Sequence, residues 1–260
     1  MLPALKQFLV SLQHTRIVKS IVYFFIGIFT YPGLAIINTI NISGTENLKG
    51  LPRRNVLFVS NHQTYFADVI TFIHIFSAVK WRKNNRLGLP YYLLNPFTRV
   101  HYVAAEETMK STWLTRLFKS AGAITVKRTW RKEGQEVQRG LDPGDTRNIA
   151  RALNNSWVIT FPQGTTKPFA PGRRGTAFII KNTRPIVIPV VISGFWRAFN
   201  KKGLKFKKKG SLLSVRFKEP LQINNEDSID VILEKVMDAI EQSKKFMMKG
   251  KHHLMTALDK

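Results

Sequence analysis

A histidine followed six residues later by an aspartate offers acid–base chemistry, and here the pair stands where such chemistry is easily positioned. His62 and Asp68 lie in the stretch Ser60-Asn61-His62-Gln63-Thr64-Tyr65-Phe66-Ala67-Asp68. The apolar run before it, residues 55–59, reads as a buried strand, and residues 69–76 read as a helix start. The histidine thus falls at a strand end, with a carboxylate just beyond it. Asp68 is one of two acids among the first 105 residues, the other being Glu46. So rare an acid is a candidate partner for the histidine, and an imidazole held by a carboxylate can act as a general base near neutral pH. The plainer reading is a helix N-terminal region with Asp68 solvated and His62 bonded to backbone.

A second segment, Phe161-Pro162-Gln163-Gly164-Thr165-Thr166, also follows a strand-like run, residues 157–160. Between the two stands Gly122-Ala123-Ile124-Thr125-Val126-Lys127-Arg128, and after them Ile186-Val187-Ile188-Pro189-Val190-Val191. In this order the four blocks resemble the glycerolipid acyltransferase family, whose best-known members acylate lysophosphatidic acid. That family carries Asn-His-x-Ser-x-x-Asp, a Gly-x-Ile-x-x-x-Arg-like block, Phe-Pro-Glu-Gly-Thr-Arg and an apolar, Pro-containing strand. The resemblance covers roughly residues 50–220. It departs in three places. Five residues, where the family has four, separate His62 from Asp68. One residue turns a helical side chain by about 100°, so Asp68 must reach the imidazole through a loop or a bulged turn ahead of the regular helix. Gln163 stands where the family has Glu, and Thr166 where it has the Arg to which an acceptor phosphate is assigned.

The resemblance implies transfer of an acyl group from a thioester to an alcohol. The alcohol must lose its proton, the carbonyl oxygen must be stabilised as it becomes negative, and the substrates' anionic parts must be held. His62 is the candidate base, and Asp68 orients its ring and stabilises the imidazolium. Asn61 and Thr64 share that loop, with Thr64 placed to fix it. The Gly164 turn offers backbone N–H groups as oxyanion donors, against the plainer reading of a glycine that the turn requires. Arg128 matches the family's phosphate-binding Arg. Lys167, Arg173 and Arg174 flank the Gln163 turn and could replace the Arg absent at Thr166. The plain reading of these four cations is a surface ion pair or a solvated basic face. Gln163 is neutral, so it can bond a substrate hydroxyl but cannot be a base. Thr165 completes the substrate-contacting set.

Composition narrows the classes. The 260 residues can bury a full core, and 44% apolar content suits a globular or peripheral membrane protein. Formal net charge is +25, from 41 Lys and Arg against 16 acids, a field that draws acidic lipid or nucleic acid. Nucleic-acid binding is the reading of a different class. No RNA-binding signature accompanies the charge, and the uncharged apolar stretch at residues 21–40 opposes it. With no cysteine there are no disulfides or thiolate metal sites. His252-His253 has no ligand cluster near it, and no phosphate loop or dinucleotide fingerprint is present. No metal or resident cofactor is expected; acyl-CoA or acyl-carrier protein would be a co-substrate.

About 20 apolar residues would span a bilayer core. Lys6, Arg16 and Lys19 precede the 21–40 stretch, and Pro32-Gly33 interrupts it, which points to two short helices or a kinked one. It reads as a membrane-embedded or re-entrant anchor, a true span, or a buried core helix. A span obeying the positive-inside rule would carry the catalytic domain away from cytoplasmic acyl donors. The embedded anchor is therefore preferred, at the cytoplasmic face of the cell membrane. The partners expected are an anionic bilayer and a single-chain lipid acceptor, by default 1-acylglycerol-3-phosphate. A lyso-aminolipid acceptor and a catalytically inactive lipid-binding homologue are the alternatives.

The expected organisation is a membrane-associated segment at 1–45, an acyltransferase domain at 46–242 and a basic tail at 243–260. Strands at 55–60, 100–104, 123–126, 157–161, 185–192 and 212–217 interleave with helices at 67–79, 145–153, 175–181 and 229–240. This predicts an α/β fold with a central mixed sheet flanked by helices and an N-terminal membrane-associated helical segment. Residues 80–98, cations followed by apolar and aromatic residues, read either as a loop resting on a membrane interface or as one packing into the core. Residues 132–144 read as a polar Gly/Pro-containing loop.

Overall fold

Strand β2 (Val56–Ser60) has no exposed residue, so it must run through the middle of a sheet covered on both faces. The computed structural model, which describes residues 16–106, 113–126 and 143–247, places it there. The other strands are β1 (Thr39–Ser43), β3 (Val100–Ala105), β4 (Ala123–Val126), β5 (Trp157–Thr160), β6 (Ile186–Ser193) and β7 (Leu212–Phe217). They form one seven-stranded sheet in the order β1-β7-β6-β2-β5-β3-β4. Only β6 and β7 pair antiparallel; all other neighbours are parallel. The sheet is mixed, as expected, and β2 to β6 all end at the same edge.

The helices are α1 (Arg16–Ala35), α2 (Ala67–Lys80), α3 (Trp113–Ser120), α4 (Pro143–Leu153), α5 (Arg174–Thr183), the single turn α6 (Phe195–Ala198) and α7 (Ile229–Ala239). Alternate residues of β2 feed two cores, as the two-residue period of a strand requires. Val56 and Phe58 join a cluster with Phe72, Phe76, Trp157 and Phe217 beneath α1 and α2. Leu57 and Val59 join Ile149, Leu153, Ala177, Ile180 and Val236 beneath α4, α5 and α7.

The 21–40 stretch differs from its sequence reading. It is one helix through Pro32, then a turn, then β1, which pairs with β7 from the far end of the chain. Pro32 lies in the last turn of α1, and its carbonyl accepts from the N–H groups of Ile36 and Ile37, which close the helix into that turn. Among the described residues α1 is the one helix long and apolar enough to cross a membrane, yet one side of it is core. Tyr23, Ile26 and Leu34 are buried. Lys19 is buried too, donating to the Val100 carbonyl, and its burial lowers its pKa to about 7. It is therefore a core residue and not a flanking membrane charge. The other side of α1 leaves Ile17, Ile21, Phe25, Ile28 and Phe29 exposed, the spacing of one helical face. Residues 80–98 divide in two: Leu87, Tyr92 and Leu93 are core, while Leu89, Tyr91 and Leu94 are exposed.

His74 locks α1 to α2 and to the 3-10 turn Pro90–Leu94. Its ring nitrogens meet the Thr30 hydroxyl at 2.9 Å and the Tyr92 hydroxyl at 2.8 Å, with Tyr31 nearby. Complete burial lowers its pKa to about 3. An unfolded histidine binds a proton below about pH 6.5, whereas the folded one does not until near 3. The stability held above 6.5 is therefore lost as pH falls through that window. Acidification from pH 7 to 5 should cost about 2 kcal/mol through this residue alone. Urea unfolding at both pH values, compared with His74→Gln, checks it; identical acid slopes in the two proteins would refute it.

Candidate active site

The C-terminal ends of β2, β5 and β6 meet at one sheet edge, where a parallel α/β sheet leaves room for ligands. The chain leaving β2 turns through residues 61–66, and Asp68 lies in the first turn of α2. His62 Nδ1 donates to Asp68 Oδ2 at 2.8 Å. The same oxygen accepts from the Gln63 N–H at 2.7 Å. The Thr64 N–H lies 3.1 and 3.2 Å from the two oxygens, and the Thr64 hydroxyl donates to Oδ1 at 2.7 Å. Backbone N–H groups can only donate, so Asp68 is the acceptor throughout and the ring proton belongs on Nδ1. Nε2 is then the nitrogen free to take a proton. Asp68 is fully buried and the His62 side chain 13% exposed, and a helix N-terminus favours a negative charge there.

The extra residue between His62 and Asp68 is absorbed ahead of the helix. The Tyr65 and Phe66 N–H groups donate to the Lys201 and Lys202 carbonyls, each at 3.0 Å. With Gln63 and Thr64 turned to Asp68, the backbone N–H groups of residues 63–66 all have acceptors. Asn61 fixes the turn's start: its side chain donates to Ile192 O at 2.9 Å and accepts from Ile192 N at 2.8 Å, extending the β2–β6 pairing past the strand end. Gln63 does likewise, accepting from Phe195 N at 2.9 Å and donating to Ile192 O at 3.2 Å. Phe161 stacks on the His62 ring, centroids 4.0 Å apart. Sequence reading singled out neither Gln63 nor the Phe161 side chain; Phe161's place in the quoted block was the only signal.

The second block forms a tight turn beside this pair. The Gly164 N–H donates to Phe161 O at 2.8 Å, so that one donor of the turn is already committed. Gly164 has φ +61°, and a Cβ there would lie 2.8 Å from Arg173 Cζ. The turn thus requires glycine, and it carries the Arg173 guanidinium against it. Gln163 is buried, donating to Ala170 O at 2.9 Å and Gln242 Oε1 at 3.2 Å, which ties the turn to the end of the fold. The Thr165 hydroxyl accepts from the Lys167 N–H at 3.3 Å, and Lys167 is exposed. Arg174 pairs at the surface with Asp230 at 2.9 Å, the plain reading of that residue. Of the three cations flanking the turn, Arg173 is the one packed on it. Arg128, two residues past β4, and His252-His253 lie outside the described residues, as does most of 132–144. A cavity of about 820 Å³ opens at the opposite edge of the sheet, lined by Arg53, Lys80 and Trp157 among others, away from this constellation.

The acyltransferase family profile matches residues 39–193, from β1 to the end of β6. The chain belongs to the acyltransferase family. No curated protein sequence matches the chain. Among solved structures it is similar to the crystal structure of the 1-acyl-sn-glycerophosphate (LPA) acyltransferase PlsC from Thermotoga maritima. The two are 16% identical over 85% of this chain and 76% of that one, with a TM-score of 0.49. In this acyltransferase, Asp68→Asn would set an amide donor against four donors. Breaking a buried charged pair from one side costs about 3 kcal/mol. Urea unfolding should therefore show Asp68→Asn destabilised by about that amount; a loss below about 1 kcal/mol would mean the donors find other partners.

Proposed function

We propose that this acyltransferase moves a fatty acyl group from a thioester, acyl-CoA or acyl-carrier protein, to the hydroxyl of a single-chain lipid. The default acceptor is 1-acylglycerol-3-phosphate. The observation that carries the reading is the His62 ring, held through Nδ1 by buried Asp68 and stacked on Phe161. His62 Nε2 takes the acceptor's hydroxyl proton as that oxygen attacks the thioester carbon. A C–O bond forms, the C–S bond breaks, and the imidazolium returns its proton to the leaving thiolate. Products are an ester and a thiol. Asp68 stabilises the transient imidazolium and keeps the ring in the required tautomer. No protein nucleophile is needed.

Arg173, packed on the Gly164 turn, is the cation best placed to replace the family's Arg at Thr166, and it supports a phosphate-bearing acceptor. Thr166 itself favours the second reading, a lyso-aminolipid without that phosphate. The exposed apolar face of α1, with Leu89, Tyr91 and Leu94, supports a domain lying on the cytoplasmic face of the cell membrane, where the acyl thioesters are.

His62→Ala is expected to lower transfer of radiolabelled acyl groups into lysolipid by roughly 10²–10⁴ while the protein stays folded. Near-wild-type turnover in that variant sinks the mechanism. Arg173→Gln should raise the KM for 1-acylglycerol-3-phosphate and leave a lyso-aminolipid unaffected, which decides between the acceptors.

A further inference from the structure

The connection between β6 and β7 holds seven Lys and Arg between residues 197 and 209, with no acid. All seven are exposed. Among the described residues none of them pairs with a carboxylate. Apolar groups are interleaved with them: Trp196, Leu204 and Phe206 are each more than 40% exposed. Arg197 lies 4.9 Å and Lys207 5.8 Å from the Trp196 ring centre. A merely solvated loop has no use for exposed Trp, Leu and Phe.

The loop is held in shape. Asn200 Oδ1 accepts from the N–H groups of Gly203, Leu204 and Lys205 at 3.0 to 3.3 Å, and Phe199 bridges to Phe206. It is also held to the site. Its carbonyls at Lys201 and Lys202 cap the turn between His62 and Asp68. A Cβ on Gly203, which has φ +77°, would lie 2.6 Å from Ala67 N and 2.8 Å from Thr64 Oγ1. On its other flank Phe206 packs on Gly33 near the end of α1, so its exposed apolar groups adjoin that helix's apolar face.

We propose that residues 196–209 dock on the anionic surface of a bilayer. The cations meet acidic headgroups, while Trp196, Leu204 and Phe206 enter the interface. Because the loop's backbone braces the catalytic turn, docking fixes the height of His62 above the headgroups. The last clause rests on the acyl-transfer reading; the docking itself does not.

The test uses the full chain and a variant carrying Lys205→Gln, Lys207→Gln, Lys208→Gln and Lys209→Gln. Co-sedimentation is measured with phosphatidylcholine vesicles, with vesicles rich in phosphatidylglycerol, and with duplex RNA. Removal of four cations should weaken binding to the anionic vesicles by roughly 1,000-fold and to the neutral ones little. The ratio of acyl transfer to a long-chain acceptor in anionic vesicles over a water-soluble short-chain acceptor should fall with it. If the four substitutions shift the unfolding midpoint, the pair Lys208→Gln, Lys209→Gln carries the measurement. Equal binding of both proteins to anionic vesicles overturns the proposal, as does a loss confined to RNA. Absence of any transfer by the wild-type chain overturns the acyl-transfer reading alone, since vesicle binding is scored separately.

Discussion

A carboxylate buried from water costs several kcal/mol unless donors replace its hydration, and the end of this fold that carries His62 is arranged around meeting that demand at Asp68. The donors are the imidazole of His62, the N–H groups of Gln63 and Thr64, and the Thr64 hydroxyl. The dependence runs both ways. Without the carboxylate the N–H groups of Gln63 and Thr64 would lose their acceptor, and the ring would lose the partner that fixes its tautomer. One ionic group therefore sets the position of the histidine, the shape of the turn and the start of α2. The central position of β2 supplies the burial that makes the constraint strict.

The pairing of His62 with Asp68 was legible because it is local: a strand, a turn and a helix start within fifteen residues or so, marked by an acid scarce in that half of the chain. The contact between Asp68 and His62 forms despite the extra residue. What the sequence could not show is how the extra residue is housed, because the Lys201 and Lys202 carbonyls that cap it arrive from a loop more than 130 positions downstream. Separation along the chain likewise hid Gln63, which ties the turn to Phe195, and the face of Phe161 that meets His62. Each of these partnerships is a property of strand order. β1 was missed for a similar reason. It begins at the end of the long apolar stretch that reads as one segment, and among the described residues its strand neighbour is β7, at the other end of the chain.

α1 shows where hydropathy alone stops. Both of its faces are apolar, so a window average cannot separate the face that packs from the face that does not. The polar groups make the separation. Lys19 donates to Val100 O, Tyr23 to Ala121 O at 2.8 Å, and Thr30 meets His74. Moving α1 alone into hydrocarbon would strip Lys19 and Tyr23 of their partners, each a costly loss in an apolar medium, and would part Thr30 from His74. The helix is therefore part of the domain, and its outward face is the only part left for a bilayer.

The two surfaces on either side of the catalytic turn then have complementary physics. The α1 face is apolar and uncharged, so any attraction it has for a membrane scales with buried area and is indifferent to salt. The 196–209 loop is charged, so its attraction is electrostatic and screened beyond about 10 Å at moderate ionic strength. An enzyme that used only the first would bind any bilayer in any orientation about the helix axis. The second contact lies to one side of that axis and is bonded to the turn that holds His62. A rod resting on a surface can roll, and a second contact beside it fixes the roll. For the acyl transfer proposed above, that is the geometric requirement for presenting one histidine to a lipid hydroxyl.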